Sequence, residues 1–206
     1  METQTSQLAL WRSEFGRDYT DRNDHEKPER VDAWRRLLDG IAPRRVLEVG
    51  CNVGWNLEYL RRLGVTELYG IEPQLYAVER ARWRGPQFGV LQGTAFDLPF
   101  KDGWFDLAFT SGVLIHISPE TIGGALDELH RVARRWIVAI EYDHPVEVEV
   151  PYRGNHGALW KRDHGAAWLH RHPDLRPVCR LELGTECGYD DCTAHLFEKA
   201  AAAENG

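Results

Sequence analysis

From residue 45 onward, short apolar runs alternate with amphipathic ones. "RVLEV" (45–49) is a compact apolar run. "GWNLEYLRRLG" (54–64) follows it, with Leu57, Leu60 and Leu63 at helical spacing and Gly64 as a stop. The order then repeats: "ELYGI" predicts a strand, "PQLYAVERARW" a helix, "FGVLQ" and "FDLAFT" two strands, and "RWIVAIEY" a fifth. Ser118-Pro119 is expected to open the helix before that fifth strand, serine as cap and proline as first residue. Strands separated by helices imply a parallel sheet covered on both faces.

The two ends of the chain break this rhythm. "PVCRLELG" and "CTAHLFEKA" are strand-like runs joined by "TECGYDD", which has no room for a crossover helix. They predict an antiparallel pair at one sheet edge, giving seven strands. Residues 1–44 precede the first strand and include a predicted helix over 28–39, with Val31, Trp34, Leu37 and Leu38 as its apolar stripe. The expected organisation is an N-terminal helical lid (1–44), a core (45–200) with an insertion on the substrate side (143–177), and a frayed tail (201–206).

Composition narrows the possible partners. With 206 residues the chain suits one domain, and 43% hydrophobic and 28% charged residues describe a soluble globular protein. The net charge of −7, with arginines scattered through amphipathic segments, argues against nucleic acid as the main partner. No apolar run has membrane-spanning length, and "METQTSQLALW" lacks the regions of a signal peptide. Cys51, Cys179, Cys187 and Cys192 form no CxxC pair, which fits a reducing cytosol, so a cytoplasmic location is expected. The histidines have no ligand-like spacing, so no metal is expected.

The candidate chemistry begins at the turn "GCNVGW". Gly50 allows close backbone approach, but the three positions of a dinucleotide fingerprint would hold Gly50, Asn52 and Trp55. A tryptophan cannot serve as the packing glycine, so a pyrophosphate-binding turn is disfavoured. S-adenosylmethionine (SAM) has an amino-acid tail instead, for which Asn52 and Glu48 offer hydrogen-bonding groups. Glu72 ends the second strand at the interval where an acid accepts ribose hydroxyls. Thr94-Ala95-Phe96 ends the third strand, where adenine would lie.

In these motifs the chain resembles the class I SAM-dependent methyltransferases, whose α/β Rossmann-like fold has a seven-stranded, mostly parallel sheet and an antiparallel C-terminal hairpin. More narrowly it looks like the methylases associated with pseudaminic acid biosynthesis. That likeness rests on "WRSEFGRDYTDRN", "VLEVGCNVGWNL", "LYGIEP", "FTSGVLIHISP", "EYDHPVEVEVPYRGNHGALWKRD" and "DDCT". The resemblance implies methyl transfer, with Glu48, Gly50, Asn52, Glu72, Thr94, Ala95 and Ser111 around the cofactor and Tyr19, Arg22 and Asn23 closing over it. The usual acid before "LPF" is Thr94 here, with Asp97 the nearest replacement.

Acceptor residues are expected at the ends of strands four and five and in the insertion. His116 and Glu141 are the candidate bases, each with a structural alternative: a hydrogen-bonded wall histidine, and a cap for backbone amides. Tyr142, Tyr152, Arg153 and Asp190 are the candidate substrate contacts, Arg153 for a carboxylate or phosphate. The mixture of charges suits a sugar acid or an amino-acid or guanidino metabolite. A SAM-binding module without catalysis and a Rossmann oxidoreductase are the alternatives, and the oligomeric state, a homodimer among the options, is left open.

Overall fold

The structure is a computed structural model and describes residues 5–200. Three helices come first: α1 (Ser6–Arg12), α2 (Glu14–Asn23) and α3 (Arg30–Leu37). The alternating core follows as β1 (Arg45–Val49), α4 (Trp55–Arg62), β2 (Glu67–Glu72), α5 (Leu75–Arg84), β3 (Gly89–Gln92), β4 (Phe105–Ser111), α6 (Ile122–Val132) and β5 (Ala133–Glu141). A short ribbon, β6 (Val148–Glu149) with β7 (Trp160–Lys161), and helix α7 (His164–Arg171) occupy the insertion. The chain ends in β8 (Leu175–Leu183) and β9 (Cys192–Lys199).

Seven strands form one sheet in the order β3-β2-β1-β4-β5-β9-β8. The first five are parallel; β9 runs antiparallel to β5, from Trp136↔Glu198 to Glu141↔Thr193, and β8 runs antiparallel to β9. Strand order reverses at β1, so the crevice beyond the carboxyl ends of β1 and β4 is where this architecture binds ligands.

The two-residue period of β1 divides its side chains between two cores. Val46 joins Trp34, Leu57, Leu60 and Phe109 on the α3–α5 face, where the Trp34 and Phe109 rings meet edge-on at 4.6 Å. Leu47 and Val49 join Leu126, Leu129 and Trp168 on the α6–α7 face. The same period turns Glu48 toward the α3–α5 side, where it is buried.

Two sequence expectations need correction or refinement. The helix expected to open at Ser118-Pro119 is regular only from Ile122, because the Ser118 hydroxyl pairs with Thr121 Oγ1 and Gly123-Gly124 weaken the first turn. The helix expected over 28–39 spans Arg30–Leu37. In "KRD", Asp163 accepts from the Ala166 amide and caps α7. The expected tail, 201–206, lies outside the described residues. No helix among the described residues is long and apolar enough to cross a membrane.

Candidate active site

The β1–α4 turn borders a cavity of about 260 Å³ at the carboxyl end of the sheet. Gly50 sits at φ +77°, and a β-carbon there would come within 2.4 Å of Val113 Cγ2, so this residue must be glycine for the β4–α6 loop to pack against it. Asn52 adopts φ +46°, a left-handed conformation that asparagine tolerates better than most residues. Its backbone N–H donates to Glu72 Oε2 at 2.9 Å, while its side-chain Oδ1 is buried without a hydrogen-bond partner.

Glu72 is thus fixed from two sides, since its Oε1 accepts the Gln74 amide at 2.9 Å. Burial pushes this carboxyl up to about 7, and the two amides pull it back down only in part. Each oxygen keeps one further lone pair for a ligand hydroxyl. Glu48 accepts from Asn56 Nδ2 at 2.7 Å through Oε1, and its Oε2 is buried without a partner. Burial raises Glu48 to about 8, against the lowering effects of Asn56 and the Arg30 guanidinium.

Thr94, Ala95 and Ser111 line the same cavity at the ends of β3 and β4. Asp97 is exposed and does not line it, so it is no replacement for an acid at position 94. Tyr19 and Asn23 of α2 line the cavity, with Asn23 Nδ2 donating to the Tyr19 carbonyl at 2.8 Å. Arg22 is exposed on the same helix and is not part of the lining.

The two candidate bases part ways. The His116 ring lines the cavity, and its Nδ1–H donates to the Ala158 carbonyl at 2.6 Å, which leaves Nε2 as the acceptor. Burial holds this imidazole down at about 4, so it is neutral and weakly basic. Glu141 does not line the cavity. It is fully buried beneath the β4–α6 loop and accepts the Val113 and Ile115 amides at 3.2 and 3.3 Å. Burial raises it to about 7. Its place is that of a loop anchor.

Tyr142, Tyr152 and Asp190 line the cavity. Arg153 does not: it is exposed at φ +49° in the Tyr152–Asn155 turn, with its guanidinium 6.0 Å from the centroid of the Tyr152 ring. The arginine that does reach the cavity is Arg30, from α3. Its Nε donates to the Gly188 carbonyl at 2.9 Å and its guanidinium stacks over Tyr189 at 4.2 Å, which fixes the fork. Tyr189 also lines the cavity, and its hydroxyl is buried without a partner. Trp11 of α1 packs edge-on against His116 at 4.6 Å and Tyr19 at 5.0 Å. Sequence patterning missed Arg30, Trp11 and Tyr189. For Trp11 a signal existed, an aromatic at every fourth position, 11, 15 and 19, although the break at Ser13 divides them between α1 and α2.

Comparison with known proteins finds methyltransferases. Residues 47–136, just under half of the chain, match a family model described as a methyltransferase domain. An uncharacterized methyltransferase of Synechocystis sp. is 36% identical over 95 residues, 46% of this chain and 44% of that protein. A tRNA U34 carboxymethyltransferase of Trichlorobacter lovleyi is 40% identical over 91 residues, 40% of this chain and 28% of that protein. The chain therefore spans less than half the length of these curated relatives. Among solved structures, the 1,6-didemethyltoxoflavin-N1-methyltransferase of Burkholderia thailandensis, with bound 1,6-didemethyltoxoflavin and S-adenosylhomocysteine, superposes with a TM-score of 0.72. The identity is 19%, covering 97% of this chain and 93% of that one. The fold is that of the class I methyltransferases. The part of the chain that the family model matches, residues 47–136, is a methyltransferase domain.

Proposed function

We propose that this chain transfers a methyl group from SAM to a polar small molecule carrying both charges, in a specialised biosynthetic pathway of the cytoplasm. The resemblance to methylases associated with pseudaminic acid biosynthesis points the same way. One observation carries the cofactor part. Glu72 is held by the Asn52 and Gln74 amides at the end of β2, beside a glycine turn, with lone pairs left for a diol.

The donor groups fit the cofactor. Glu72 takes the ribose hydroxyls, Thr94 and Ala95 border the adenine, and the unpartnered Glu48 Oε2 and Asn52 Oδ1 meet the ammonium of the amino-acid tail. When bound, the sulfonium supplies an electrophilic methyl carbon. The chain's own residues orient the acceptor and keep water out, which is where most of the rate advantage of such a transfer arises. Helices α1 and α2, through Trp11 and Tyr19, form the lid. His116 Nε2 orients a nucleophile by accepting its proton in a hydrogen bond. With the imidazole held near 4, this suits an acceptor that needs no strong base.

For the acceptor, Arg30 takes the role that sequence patterning gave to Arg153, binding a carboxylate or phosphate, and Asp190 faces a cationic group. The roofed cavity and the net charge of −7 favour a small acceptor over the tRNA named for some relatives. Calorimetry with SAM, S-adenosylhomocysteine and NAD tests the reading. Binding of the first two and not the third is expected, and silence toward SAM at millimolar concentration overturns it. Mass spectrometry of candidate acceptors incubated with protein and SAM then separates an enzyme from a binding module.

A further inference from the structure

At the end of the sheet away from the cavity, three elements bring two imidazoles and a carboxylate together. His130 lies near the end of α6, His172 caps α7, and Asp174 precedes β8. Their ligating atoms all lie within 4.8 Å of one another. His130 Nε2 is 2.9 and 3.1 Å from the two Asp174 oxygens, and the two imidazole rings stack at 4.0 Å with planes 3° apart. An independent feature marks the same spot. His172 Nε2 is buried without a well-aligned hydrogen bond, and its nearest polar neighbour is Asp127 Oδ1 at 3.3 Å.

We propose that His130, His172 and Asp174 form a site for a divalent transition ion of the zinc type. Two imidazoles and one carboxylate suit zinc, cobalt or nickel, whereas calcium and magnesium prefer sets made of oxygen alone. Zinc–ligand bonds of roughly 2.0–2.2 Å bring ligating atoms closer together than they lie here, so the rings tilt out of their parallel stack when they share the ion. The neighbouring cations leave room: Lys199 Nζ is committed to the His130 and Ala133 carbonyls at 2.7 and 2.8 Å, and Arg171 to Asp127. The side chains of His130 and Asp174 are 20% and 42% exposed, which lets an ion reach them and leaves a coordination position for water. The ion ties α6, α7 and β8 together and takes no part in methyl transfer. The proposal therefore stands or falls separately from the cofactor site.

The test uses the intact protein, freed of metal by chelation and titrated with cobalt(II) and then zinc, with visible absorption and thermal unfolding as readouts. The expected result is one equivalent of cobalt, low-coordinate visible bands, displacement by zinc, and a raised unfolding temperature. His172→Ala and Asp174→Asn are expected to weaken the ion by more than the ~10–100-fold that losing an outer-shell partner costs. Both variants keep the wild-type circular dichroism and a cooperative unfolding transition, which confirms that they fold. No bands and no thermal shift in the wild type overturn the proposal. So does undiminished binding in a folded His130→Ala/His172→Ala variant, which would place the ion elsewhere.

Discussion

Replacing Glu72 by glutamine tests the cofactor site at its most defined point. In the wild type, Oε2 accepts the Asn52 amide and Oε1 the Gln74 amide, each at 2.9 Å. Glutamine keeps one acceptor oxygen and turns an NH2 group toward the other amide, so one buried N–H loses its partner, at about 1–3 kcal/mol of stability. Toward SAM, the variant loses one charge-assisted hydrogen bond to the ribose, worth about 1.5–3 kcal/mol, or roughly 10- to 150-fold in Kd. Calorimetry at pH 8 is the assay, because the carboxyl titrates at about 7 and is ionised there. Below pH 7 each unit of acidification protonates the group further and lowers wild-type affinity by up to about tenfold, since one pKa unit equals ~1.36 kcal/mol. The glutamine variant lacks this dependence. A Kd within twofold of wild type at pH 8, or an equally steep pH dependence in both proteins, refutes the assignment of Glu72 to the ribose.

Other consequences are as concrete. Glu141→Ala leaves the Val113 and Ile115 amides without their acceptor, and calorimetric unfolding should register a loss of about 2–6 kcal/mol. Glu141→Gln should preserve the shape of the pH–rate profile; losing one limb of it would restore a base role. Arg153→Ala should leave acceptor KM unchanged, while Arg30→Ala raises it about tenfold or more, the scale of a charged hydrogen bond left unmade. The buried acids Glu48, Glu72 and Glu141, raised to about 8, 7 and 7 from 4.5, hold more protons folded than unfolded. Ligand-free stability should therefore fall as pH rises from about 6.5 to 8, above the range in which the depressed His116 and His164 act in the opposite direction. A melting temperature that climbs across that window contradicts this.

The sheet was readable because its signals are local. "RVLEV" and "FDLAFT" are apolar runs bounded by turns, and the Gly50-to-Glu72 interval follows from the length of one βαβ unit. The turn was readable where the same locality holds, at Glu48, Gly50, Asn52 and Glu72, and the expected Tyr19, Asn23, Thr94, Ala95, Ser111, His116, Tyr142, Tyr152 and Asp190 also line the cavity. Glu141 was misplaced because its position at a strand end implied the crevice, whereas the 3-10 turn Leu114–His116 crosses above it and absorbs its carboxylate. Arg30 and Tyr189 are separated by more than 150 residues, and only the packing of α3 against the β8–β9 hairpin turns them into one wall. No periodicity reports such a meeting.

The fastening of the first helix has a kinetic consequence. Gln7 Nε2 bonds the Gly157 carbonyl at 3.0 Å, Gln74 Nε2 reaches the Trp11 and Ser13 carbonyls, and the Trp11 indole rests on His116. On the proposed methyl transfer, S-adenosylhomocysteine would leave past these few weak clasps, and the opening of a seven-residue helix would gate successive turnovers. Loosening a clasp should then quicken steady-state turnover while a single-turnover burst stays the same.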